Sequence, residues 1–176
     1  MKKNIIALLL VLAVVSFGVF AAPADADFKV TTEVGDNSFM GVTKETVDVK
    51  GFVSGAYTDF DELVVEEAGS QDFEAYLTSW SNSVAGYTIE MSATPMAHAN
   101  KSSNSAADIH YTVTVNSVSY ATKSDTTAKE VFDSETLTAI TGNSSAITLS
   151  VDSDSFAAAA TGSYEGTVTF HFVSNS

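Results

Sequence analysis

The sequence has no cysteine, only two prolines and a single tryptophan. Arginine is absent as well: all eight basic residues are lysine, against 22 Asp and Glu, for a formal net charge of −14. Each shortage excludes something. Without cysteine there is no disulfide, no thiolate metal site and no lipid-modified cysteine at a processed N-terminus. Without arginine no planar guanidinium can clamp a phosphate or carboxylate through two parallel hydrogen bonds. The acidic balance repels nucleic acid and anionic lipid, so neither is a partner. The two prolines, Pro23 and Pro95, interrupt no strand pattern. There is no G-x-S-x-G turn, no phosphate-binding glycine loop and no EF-hand spacing.

Only one long apolar run is present. Ile5 to Val15 is unbroken, follows Lys2 and Lys3, and continues past Ser16 to Ala22. Ala24-Asp25-Ala26 then supplies a small-x-small cleavage pattern. Residues 1–26 are read as a secretory signal peptide, and 27–176 as a single domain. An uncleaved anchor is the other reading of the same run, which approaches the ~18 residues that suggest a span. With cleavage, no stable membrane insertion remains. The expected address is secreted, in the periplasm or at the cell surface.

The rest of the chain reads in period two. Phe28, Val30 and Val34 alternate with polar neighbours, as do Val47 and Val49. The same holds for Tyr87, Ile89 and Met91, then Ile109, Tyr111, Val113 and Val115. Ile147, Leu149 and Val151 follow, and last Val168, Phe170 and Phe172. Such segments are strands with one buried and one wet face, and their Thr, Val and aromatic content suits a pleated surface. Residues 73–80 fit both helical and strand spacing, and the strand is preferred. A short helix within 59–80 or 127–136 stays open. Gly35–Ser38, Asn100–Ser105, Gly142–Ser145 and Gly162-Ser163 read as turns or loops. The expected fold is all-β, two antiparallel sheets packed face to face as a sandwich.

Chemistry-bearing residues are sparse. The alternation puts His110 and His171 on wet faces and His98 in a loop, so they do not make a metal site. Asp152 and Asp154 form an ordinary solvated pair. The acidic stretch from Asp59 to Glu74 reads as a soluble face. No catalytic residue, metal or cofactor is expected. Trp80, Tyr57, Tyr120 and Tyr164 could line a sugar platform, but a lone tryptophan is more often part of a sandwich core.

Three segments carry a resemblance: "SNSVAGYTIEMSA" (81–93), "DIHYTVTV" (108–115) and "GSYEGTVTFHF" (162–172). Together they resemble the secreted fimbrial-subunit group of bacteria, which takes in chaperone–usher pilins and spore-coat-U-like proteins. The resemblance implies an immunoglobulin-like sandwich with an open edge that accepts a strand from a neighbour. It implies that Gly162 matches the glycine near the start of the terminal strand. Val168, Phe170 and Phe172 then match that strand's apolar positions, and Phe28, Val30 and Val34 the donated strand. These six residues are the expected strand-pairing interface. The partners are further copies or other envelope subunits, and the role is structural, in a surface or adhesion assembly. A binding module for carbohydrate or protein is the alternative, and an enzyme is the least supported class.

Overall fold

A computed structural model describes residues 31–34, 37–101, 106–137 and 139–175. The chain divides into two units, Met1–Val34 and Gly35–Ser176. The expected signal peptide, Phe28 and Val30 lie outside the described residues. Residues 31–34 form no strand, so the strand expected there does not extend over them, and Val34 is 78% exposed.

The second unit is built of antiparallel β-structure, as the alternation predicts. Its strands are β1 (Ser38–Thr43), β2 (Gly69–Ser70), β3 (Tyr76–Ser81), β4 (Tyr87–Ala93), β5 (Ala97–His98) and β6 (Tyr111–Val115). They continue with β7 (Val118–Ala121), β8 (Lys129–Ser134), β9 (Thr141–Val151), β10 (Tyr164–Glu165) and β11 (Val168–Ser174). Two short helices, α1 (Val49–Ser54) and α2 (Ser153–Ala157), interrupt them. The larger sheet runs β1-β3-β9-β6-β7, with β2 also on β9; a smaller one runs β11-β4-β8, and β5 pairs with β10.

One core joins the two main sheets. Leu77, Tyr111, Val113, Val115, Tyr120, Ile147 and Val151 of the larger sheet cluster with Tyr87, Ile89, Met91 and Val131 of the smaller. The β4–β8 register slips between Ile89 and Glu90. That bulge lets Val131 as well as its neighbour Phe132 reach the apolar side. Residue 116–117 closes the β6–β7 hairpin with both φ angles positive, 48° at Asn116 and 65° at Ser117. Two consecutive left-handed residues match the twist of a two-residue hairpin.

Several expectations are corrected. Val47 and Val49 do not lie on a strand. The Asp48 carboxylate accepts from Gly51 N–H at 2.7 Å and starts α1 instead, with Val47 buried beside it. Gly142–Ser145 is not a turn but the first half of β9, paired to β3. Its hydroxyls find sheet partners: Ser144 bonds Thr78 at 2.9 Å, and Ser145 accepts from the Asn143 amide at 2.8 Å. Ser38 opens β1 rather than closing a turn. Residues 129–134 are strand, not helix, and 73–80 contains the preferred strand in the form of β3.

Gly86 has φ +78°, and a Cβ there would overlap the carbonyl oxygens of Ser134 and Glu135. Gly86→Ala should therefore lower the unfolding free energy by roughly 3 kcal/mol or more. Ser117→Gly should raise it by about 1 kcal/mol, by relieving a left-handed residue. Urea denaturation at pH 7, with an unchanged m-value, checks both.

Candidate functional site

The two main sheets have two seams, and they are treated differently. Along one, β7 and β8 are stitched together. The Asn116 side-chain amide donates to Val131 O at 2.9 Å, and Lys129 Nζ donates to Ser119 O at 2.7 Å. Lys129 also pairs with Asp125 at 2.7 Å and lies 5.9 Å from the centre of the Tyr120 ring. The hydrogen bond from Lys129, helped by Ala121 N–H, holds the Asp125 carboxyl below its ordinary pKa.

The opposite seam, between β1 and β11, is open. No strand pair joins them among the described residues. Between them runs a groove of about 310 Å³, lined by Met40, Gly41, Val42, Leu77, Val168, Thr169 and Phe170. Val168, Phe170 and Phe172 face inward and Thr169 and His171 outward, as the alternation predicts, but the three apolar residues are only half-buried. All three pack on the core, and Val168 and Phe170 also border the seam. The terminal strand has the expected register without the expected depth.

Backbone polarity defines the free edge. Thr94 N–H donates to Thr167 O, and Asn175 N–H donates to Gly86 O, at the two ends of the β4–β11 ladder. In an antiparallel ladder the residues that exchange bonds alternate. Thr169, His171 and Val173 therefore turn their N–H and C=O groups toward β4, while Val168, Phe170 and Phe172 turn theirs toward the open seam. Facing them, β1 offers the main chain of Met40. The edge at Val42 is already used, because its carbonyl accepts from Phe60 N–H at 2.9 Å.

Two tyrosines hold the groove's walls at a fixed separation. Tyr87 of β4 is fully buried, and its hydroxyl bonds Ser79 of β3 at 3.0 Å. Its ring stacks on Phe172 of β11 at 4.6 Å and 15°. Tyr111 of β6 donates from its hydroxyl to Thr167 O, just before β11, at 3.3 Å. Burial raises both phenol pKa values. For Tyr111, desolvation and then the neighbouring Tyr120 push the value up to about 12.

The remaining candidates are scattered. His98 is not in a loop but in β5, and it is buried. Its Nδ1 accepts from Asn100 N–H at 3.0 Å, so Nε2 carries the proton and donates to Thr161 O at 3.3 Å. Gly162 lies against that imidazole, where a Cβ would overlap Nε2. This glycine thus serves the packing of His98, close to the start of the terminal strand. His110 is half-buried beside Thr122, and His171 is exposed. Asp152 caps α2 by accepting from Ser155 N–H at 2.8 Å, which with the Ser155 hydroxyl contact lowers its pKa. Tyr120 is in the core, and Tyr164 sits edge-on to His98 at 5.0 Å. Of the expected interface residues, Val168 and Phe170 border the groove, and Phe172 stacks on Tyr87 in the core. Met40, Val42 and Leu77, the facing wall, were not anticipated. The signal of Met40 and Val42 was weak, since apolar residues fall on both faces of Ser38–Thr43 and the period-two pattern vanishes, whereas Leu77 lay in the strand preferred for 73–80 without being assigned to an interface.

No protein-family model matches the chain, and no curated protein is significantly similar to it.

The raised phenol pKa values have a thermodynamic consequence. The unfolded tyrosines lose protons from about pH 10, while folded Tyr111 holds its proton to about 12. Above pH 10 the folded state binds more protons than the unfolded, so stability falls as pH rises. Stability should be flat from pH 7 to 9 and decline from pH 10 through 12. In Tyr111→Phe that decline should be shallower. Thermal unfolding across this pH range, with ultraviolet titration of phenolate, checks it.

Proposed function

We propose that this chain is a secreted, non-catalytic structural subunit of the cell envelope, whose immunoglobulin-like sandwich assembles by accepting a strand into the seam between β1 and β11. The observation that carries the reading is the contrast between the two seams. One is laced by side-chain hydrogen bonds, and the other leaves apolar side chains and main-chain groups of one strand turned toward an empty groove. An extended segment adds to such an edge through main-chain bonds, and its alternate side chains fill the gap beneath.

The occupant is residues 28–34 of a second copy. Phe28, Val30 and Val34 recur on an even spacing, with Lys29, Thr31 and Glu33 between them to face water. Seven extended residues span about 23 Å, enough to run the length of β11, itself seven residues. Insertion would complete the burial of Val168, Phe170 and Phe172. It would also cover a free edge, which otherwise invites uncontrolled pairing. The segment carries one positive and one negative charge, so it brings no net charge to an acidic surface.

Sedimentation and native gels of residues 27–176 and 35–176 test this. The longer chain should form oligomers whose size grows with concentration, resistant to detergent without boiling. The shorter should fold and stay monomeric, and a peptide of residues 27–35 should bind it and protect the amides of Val168 and Phe170 from exchange. Phe170→Ala should cost about 1–2 kcal/mol in the shorter chain, where the ring is half-buried, and about 3–5 kcal/mol with the groove filled. If truncation changes neither assembly nor stability, the proposal fails. A 27–176 monomer at all concentrations, destabilised by truncation, would show that the segment closes its own groove and would overturn assembly through it.

A further inference from the structure

On the other face of the larger sheet lies a second opening, unrelated to the groove. Residues 44–58 leave the sheet after β1 and return to it as an Ω-shaped loop containing α1. Its neck is tied three times. Lys44 N–H donates to Thr58 O at 2.9 Å, Thr58 N–H to the Glu45 carboxylate at 2.7 Å, and Thr43 bridges Asp59. Inside, Ala56 N–H donates to Gly51 O at 2.9 Å, and Asp48 caps α1. Compact loops with tied ends of this kind are frequently functional.

Between this loop and the start of β9 is an open cleft of about 510 Å³, lined by Thr46, Val47, Asp48, Gly51, Ala56 and Gly142. That volume falls within the roughly 300–1,000 Å³ of small-molecule sites. The walls are aliphatic or glycine, and the polar side chains are one hydroxyl and one carboxylate. Asp48 commits one oxygen to Gly51 and has acceptor capacity on the other. Beside the floor stands Trp80, paired with Gly142 across β3 and β9 and with its Cβ 3.7 Å from where a Gly142 side chain would begin. Phe39 pairs with Trp80 from β1 and meets Tyr57 of the loop edge-on at 5.6 Å. Among the described residues, the indole N–H of Trp80 is the one buried side-chain polar group without a hydrogen-bond partner. Such groups are rare in native proteins and call for an explanation.

We propose that the cleft between α1 and the start of β9 binds a neutral carbohydrate, a hydroxyl-rich ring with one apolar face. The lining selects that chemistry. Among the described residues no cationic side chain lines the cleft, and Asp48 repels anions, so a phosphate or acidic sugar is disfavoured. The Asp48 carboxylate and Thr46 hydroxyl accept from sugar hydroxyls at the rim. Val47 and Ala56 meet the C–H face.

Trp80 is the sole tryptophan and adjoins the cleft through Gly142, so its fluorescence reads a single place next to the site. Residues 27–176 are titrated with N-acetylglucosamine, galactose, mannose and their short oligomers, with ethanolamine and sulfate as charged controls. A saturable change is expected for at least one neutral sugar and for neither control. Ala56→Leu, which fills the cleft, should weaken binding about tenfold or more, equal to at least ~1.4 kcal/mol. Asp48→Asn keeps an N-cap side chain and should weaken it similarly with an unchanged unfolding midpoint. The response should persist in 35–176, so its failure and that of strand acceptance are separable. No saturable response to any neutral sugar, a response to ethanolamine or sulfate instead, or wild-type binding in Asp48→Asn would each overturn the proposal.

Discussion

A fully buried tyrosine, Tyr87, stands between the two main sheets. Its ring lies between Phe132 of β8 and Phe172 of β11, and its hydroxyl bonds Ser79 across the core. Three requirements meet in that residue. The ring supplies apolar area, the stacked contacts set the spacing of three strands, and the hydroxyl must find a partner because an unpaired one would be costly. The partner is a serine at a core-facing position of β3, where burial without a bond would be unfavourable for it too. Each polar group justifies the other's burial. The pair thereby fixes how the smaller sheet slides over the larger, which apolar contacts alone would leave poorly specified.

From that fixed separation the open seam follows. With β4 held against β3, and Thr167 held by Tyr111, β11 cannot collapse toward β1. Apolar surface at Val168 and Phe170 therefore stays partly uncovered, although burying such side chains completely is worth about 1.5–3 kcal/mol each. At the other seam, Lys129 and Asn116 reach across and close the gap with hydrogen bonds. A rigid spacing with one side closed turns incomplete burial into a shaped groove instead of a compressible defect.

The sequence exposed this plan unevenly. Where one face was apolar and the other polar, the strands could be read directly, as in Tyr87–Met91, Tyr111–Val115 and Val168–Phe172. Depth could not be read, because period two reports which way Phe170 points and says nothing of whether a strand lies beyond it. Ser38–Thr43 was hidden because Phe39 and Gly41 serve an outer aromatic group while Met40 and Val42 serve the core. Gly142–Ser145 looked like a turn because its residue types favour turns, yet each hydroxyl and amide is satisfied inside the sheet. Tertiary pairing overrides local preference there. Val47 and Val49 misled in the opposite sense: alternation over five residues is too short to outweigh an aspartate that caps a helical turn.

The hydroxyl-rich strands bear on a further point, the absence of cysteine. A covalent bridge between neighbouring strands would hold them together without any polar pairing. This chain uses Thr43, Thr78 and Ser144 instead, hydroxyl to hydroxyl at 2.9 Å across β1, β3 and β9, with Ser38 and Ser81 repeating the motif at the sheet's end. The Thr43, Thr78 and Ser144 bonds lie on the face of the larger sheet opposite the groove, and Ser38–Ser81 on the groove's own face. Each is worth only about 1 kcal/mol net, but together they resist the peeling of β1, whose outer side meets, among the described residues, only residues 58–60 at its Val42–Thr43 end. An edge strand that borders an empty groove needs such lateral anchoring more than a central strand does. Side-chain ladders of this kind let the open seam coexist with a stable sheet.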